Sequence, residues 1–137
     1  MSTEIRQLEP RAVWNKFADL NAVPRPSKKE ERVIAFMKDF GASLSLEVIE
    51  DSVGNVIIKK PATFGMEDRK PIVMQSHLDM VHQKNNETIF DFLTEGIEMH
   101  VEGDWVKAKG TTLGADNGLG VATIMAVLES NDILIPL

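Results

Sequence analysis

The spacing of apolar positions sets the first expectations along the chain. Val13, Trp14, Phe17, Ala18 and Leu20 recur near helical spacing behind Pro10, whose missing N–H suits a first helical turn, and the segment VPRPS then breaks that helix. Ser27 and Glu30 read as a capping box ahead of Val33, Ile34, Phe36, Met37 and Phe40, with Gly41 at the C′ position that ends a second helix. The β-branched runs LEVIED and NVIIKK, separated by SVG, predict a hairpin, and IEMHV with DWVKA around EGD predict another. Between them, PIVMQSHLDMV reads as a strand buried on both faces. From Gly118 the run GLGVATIMAVLES is apolar on nearly every side, so a helix there must be sandwiched by other structure. The final run, NDILIPL, starts like a strand and breaks off, as a truncated element would. These elements predict an α/β fold, a mixed sheet packed by helices, with no repeat, low-complexity tract or linker to divide residues 1–137.

Composition narrows the function classes. A chain of 137 residues is about one domain's length and buries roughly two-thirds of its unfolded surface. Its 15 basic and 21 acidic residues give a net charge of −6, which disfavours nucleic acid because a phosphate backbone calls for clustered cations. Cysteine is absent, so no disulfide scaffold exists, and no apolar stretch approaches the length of a membrane span or a signal peptide. A cytoplasmic protein with no membrane partner is the expectation.

Two stretches carry candidate chemistry. In SHLDMV, His77 and Asp79 share one side of an extended segment, at the strand end where open sheets place ligands. A neutral imidazole there ligates zinc well, and a nearby carboxylate can fix its tautomer by accepting from the other ring nitrogen. The second stretch, GTTLGADNGLG, is glycine-rich but lacks both the lysine ending of a phosphate loop and the dinucleotide spacing. Its one acid, Asp116, stands just before the apolar helix. It could cap that helix, or the flanking glycines could bring its carboxylate up to a metal. An imidazole at a strand end and a carboxylate at a following strand-to-helix junction are elements of a co-catalytic zinc site.

These motifs, together with LEP, VPRPS, GNVIIKK and GDWVKAKGTTLGADNG, resemble the N-terminal part of the aminoacyl-histidine dipeptidases, within a large group of two-zinc exopeptidases and deacylases. Asn117 favours them over the tripeptidases, which tend to carry Asp-Asp at this junction. The resemblance implies that residues 1–137 form a partial catalytic domain, the N-terminal portion of a zinc-exopeptidase-like unit. It implies that His77 ligates one zinc, Asp116 bridges two, and Asp79 orients His77 as the catalytic partner. It also implies a cis Asp116–Asn117 peptide. Manganese or cobalt are the alternatives to zinc. The reaction implied is metal-assisted hydrolysis of Xaa-His dipeptides, with a dipeptide carrying C-terminal histidine as substrate and a homo-oligomeric enzyme. The glutamate that acts as general base, the remaining ligands and the lid domain of the family have no counterpart here, since the adjacent Glu30 and Glu31 fall in the second helix. Two ligands alone are expected to bind zinc weakly and to support no useful turnover. A non-catalytic half-domain that acts as a binding or assembly partner, and an amino-acid deacylase, are the alternatives.

Other candidates carry blander expectations. His82 is not expected to be a third ligand, and His100 reads as the polar face of its hairpin. Trp14 and Trp105 read as core or edge packing, Lys28 and Lys29 as solvated, and the seven dispersed methionines as gap filling.

Overall fold

The structure, a computed structural model, describes residues 3–132. A single 3-10 turn at Ile5–Gln7 leads into three α-helices among the described residues, α1 (Arg11–Asn21), α2 (Glu31–Ser43) and α3 (Ala115–Glu129). Between α2 and α3 lie β1 (Glu47–Glu50), β2 (Val56–Lys59), β3 (Met99–Glu102) and β4 (Trp105–Ala108). Among the described residues the β-structure consists of two antiparallel hairpins, β1 with β2 and β3 with β4, each at the position expected from the sequence. The α/β class therefore holds, but among the described residues the expected mixed sheet is replaced by these two separate antiparallel hairpins.

The core grows from the faces that helical spacing aligns. Phe17, Ala18 and Leu20 of α1 are fully buried, and α3 lies against them through Val121, Ala122 and Met125. Burial of a side chain such as Phe17 or Leu20 is worth about 1.5–3 kcal/mol. Ile5, Met80, Ile97 and Met99 complete one cluster around Phe17 and Ala18, while Val33 and Met37 of α2 join Leu20, Val121 and Met125 in a second. The apolar helix α3 thus serves both clusters. Among the described residues no helix is long and apolar enough to cross a membrane.

Three local expectations are corrected. Ser27 and Glu30 form no capping box: α2 begins at Glu31, its N-cap makes no side-chain bond to the helix, and the Ser27 hydroxyl turns instead to Asp79 Oδ2 and the Met80 carbonyl. Gly41 does not end α2, which runs on to Ser43, with Ser45 taking the left-handed conformation at φ 57°. Packing explains this glycine, since a Cβ there would stand 2.5 Å from Val48 Cγ2. The segment from Pro71 to Val81 is no buried strand. A ladder needs a partner on each side, and among the described residues only a parallel bridge from Met80 to Pro26 is present, leaving Val73 90% and Val81 67% exposed. Pro10 sits one position before the helix, as the N-cap of α1. The expectation for NDILIPL falls mostly on residues 133–137, outside the described residues.

Candidate functional site

The first support for the site comes from the bridge between Pro26 and Met80. Met80 N–H donates to the Arg25 carbonyl at 3.0 Å and Ser27 N–H to the Met80 carbonyl at 3.1 Å, which anchors the end of the segment carrying His77 and Asp79. The second support is the glycine loop before α3. Gly114 takes φ 73°, Asp116 and Asn117 depart from helical geometry, and regular helix starts at Gly118. The Asp116–Asn117 peptide is cis, as the resemblance implied. Ser76 Oγ donates to the Asn117 carbonyl at 3.2 Å, tying loop to segment.

These supports bring the three predicted site residues together. His77 Nδ1 lies 3.0 Å from Asp79 Oδ1, and His77 Nε2 lies 3.2 Å from Asp116 Oδ1. Asp79 is held from its other oxygen by Ser27 Oγ at 2.5 Å. The Asp116 side chain is 97% exposed, so its carboxylate reaches out from the loop and bonds the imidazole, and α3 has no side-chain cap. Partial burial works against charge on His77, but its bonds to Asp116 and Asp79 outweigh that and hold its pKa above the ordinary histidine value. The Ser27 hydroxyl, with His77, holds Asp79 below the usual carboxylate range against its partial burial.

The donor set has a definite chemical meaning. A neutral imidazole has one N–H, yet both nitrogens of His77 face carboxylate oxygens, which accept only. With the proton on Nδ1 toward Asp79, the Nε2 lone pair faces Asp116, and only a second proton or a cation between them makes that contact favourable. One nitrogen and one carboxylate fit part of a zinc site and fall short of a whole one. Among the described residues no group of three or more His, Cys, Asp or Glu side chains gathers in a metal-holding arrangement.

The remaining candidates lie elsewhere. His82 packs edge-on against Phe92, 5.6 Å between centroids, and lines an open groove with Pro26, Phe90 and Leu93. His100 faces Lys107 across the hairpin and stands 3.8 Å from Glu102. Trp14 packs edge-on against Phe17, whereas Trp105 is 71% exposed. Sequence reasoning passed over Asn21 and Arg25, both buried, and gave Ser27 the wrong partner. The available signal was an arginine fixed between two prolines, four residues after an asparagine in an apolar helix.

In sequence and in fold, the chain is similar to known peptidases. No family model matches the chain. It is 47% identical over 132 residues to the cytosol non-specific dipeptidase of Escherichia coli, covering 96% of this chain and 27% of that protein. The aminoacylhistidine dipeptidase of Vibrio alginolyticus superposes with a TM-score of 0.92 at 46% identity, over 95% of this chain and 26% of that one. A tripeptidase from Staphylococcus aureus, at 21% identity and a TM-score of 0.71 over 89% of this chain and 32% of its own, shares the fold. The resemblance to the aminoacyl-histidine dipeptidases thus holds in both sequence and fold, and the chain spans about a quarter of the length of these dipeptidases.

Proposed function

We propose that this chain supplies one part of the metal centre of a dipeptidase that hydrolyses Xaa-His dipeptides in the cytoplasm. The observation that carries the reading is His77 held between Asp79 and Asp116, at 3.0 and 3.2 Å, with one ring proton to serve two carboxylates. In it, His77 Nε2 and Asp116 hold zinc, and Asp79, itself fixed by Ser27, keeps the ring proton on Nδ1. Zinc bound there would acidify a water and polarise the scissile amide. The glycine loop leaves the Asp116 side chain 97% exposed. Further ligands, the general base and the pocket for the histidine end of the substrate come from outside these residues. The cytosolic location and dipeptide substrate named for its relatives support the reading. The exposed apolar residues Val73 and Val81 support self-association as part of it.

The test replaces the matching segment of the Escherichia coli dipeptidase with residues 3–132 and assays dipeptides ending in histidine or in other residues, with and without a chelator. Hydrolysis that stops with chelator and is lost on His77→Ala supports the metal-centre reading. A folded chimera whose hydrolysis survives His77→Ala refutes it.

A further inference from the structure

We propose that Arg25 is a positioning residue that sets the separation of His77 and Asp116 by clamping the backbone segments that carry them onto the end of α1. Its guanidinium donates from Nη1 to the carbonyls of Leu78 at 3.1 Å and Asp79 at 3.5 Å, and from Nη2 to the Gly114 carbonyl at 2.9 Å and Asn21 Oδ1 at 2.7 Å. Leu78 follows His77 directly, and Gly114 lies two residues before Asp116. One planar group therefore spans both halves of the site and the last residue of α1.

The arrangement is specific to arginine. The residue is 1% exposed, and burial, outweighing the attraction of Asp79, lowers its pKa to about 10. Removing a cation from water is costly, and an apolar side chain of similar size would fill the same volume without that cost. What arginine alone supplies is a rigid fork of donors that reaches carbonyls on separate segments at once; a lysine ammonium is a single point of charge. Asn21 completes the clamp, since its Nδ2 donates to the Leu113 carbonyl at 3.0 Å while its Oδ1 accepts from Arg25.

Two of the loop's four glycines are explained by the same group. A Cβ on Gly114 or on Gly118 would stand 2.6 Å from Arg25 Nη2, so both positions leave room for the guanidinium. A glycine run that suggests phosphate binding is instead built around a buried cation of the protein itself.

The metal-site role of Arg25 rests on the function proposed above; its control of the His77 to Asp116 spacing does not. The test compares wild-type protein with Arg25→Lys and Asn21→Ala, each first shown to melt cooperatively. One readout is the imidazole 15N shifts of His77 in metal-free protein, which report its bonds to Asp79 and Asp116, and the other is Zn2+ affinity by competition with a chromophoric chelator. The expected result for Arg25→Lys is displaced His77 resonances and Zn2+ affinity about 10-fold or more weaker, with a smaller change in the same direction for Asn21→Ala. A purely architectural arginine would lower the melting temperature and leave the His77 resonances in place. A folded Arg25→Lys with wild-type resonances and affinity overturns the proposal, and if that variant does not fold, Asn21→Ala decides by the same criteria. Because two ligands alone hold zinc weakly, the Zn2+ readout is taken on the chimera with the Escherichia coli dipeptidase; a folded chimera that takes up no Zn2+ would refute the metal reading, while the His77 resonances would still decide the role of Arg25.

Discussion

The Ser27 hydroxyl lies 2.5 Å from Asp79 Oδ2, and Asp79 in turn lies 3.0 Å from His77 Nδ1, so a serine spaced like a helix cap supports the imidazole instead. On the proposed zinc reading, Ser27→Ala is expected to weaken Zn2+ binding about 10-fold, as loss of outer support does at metal sites. Amide exchange in the first turn of α2 should stay as in wild type. Unchanged affinity with a frayed α2 would reinstate the capping role.

Gly118→Ala tests the close packing of the glycine loop. An added methyl would stand 2.6 Å from Arg25 Nη2 and 2.9 Å from Phe17 Cε2. Helix propensity alone would make alanine stabilising by up to ~1 kcal/mol. Overpacking against a buried group costs about 1–3 kcal/mol and is expected to win. Urea unfolding should show a net loss; a net gain would mean that the loop yields easily.

Asp51 governs the acid response of the first hairpin. Its carboxylate accepts from the Asn55 side chain and from the backbone N–H groups of Asn55 and Val53, and these bonds, the Asn55 side chain first, hold its pKa below the usual carboxylate value. A depressed folded pKa means that the stabilisation is fully present above the unfolded carboxylate range and is lost as pH falls through the folded pKa. Amide protection at Val53 and Asn55 should fall in that acid window, and Asp51→Ala should abolish the step. Protection that ignores pH in the parent protein would contradict this.

The unpaired segment around Val73 should drive association. Val73 is 90% exposed, Val81 67% and Ile72 46%, on a stretch whose one bridge among the described residues, Met80 to Pro26, forms no ladder. Exposed apolar backbone of this kind invites pairing. Sedimentation is expected to show concentration-dependent oligomers that Val73→Lys shifts toward monomer. A monodisperse parent at high concentration would count against it.

The sequence was most legible where one signal dominated. Helical spacing in α1 and β-branched pairs in both hairpins located elements whose stability is local. That His77, Asp79 and Asp116 come together was legible because an imidazole and two acids stood at the end of one segment and in the glycine loop. What escaped depended on distant contacts. Ser27 has the spacing of a helix cap, and only its long-range bond to Asp79, 52 positions away, reveals its other use. Gly41 looked like a helix terminator because its true constraint, Val48 on β1, is a packing neighbour and leaves no local signature. The stretch from Pro71 has the composition of a buried strand, but composition cannot supply the neighbours a ladder needs. Arg25 was passed over because buried arginines are rare and three of its four acceptors are backbone carbonyls, which any sequence would offer.

Zinc content tests the central claim most directly. Metal bound per chain should be measured in the chimera that carries residues 3–132 within the Escherichia coli dipeptidase as parent, and in its His77→Ala and Asp116→Ala variants, after equilibration with buffered Zn2+, with folding checked by circular dichroism. Metal taken up by the parent and lost from both folded variants is the predicted result. Equal zinc in all three proteins would contradict a centre built on His77 and Asp116.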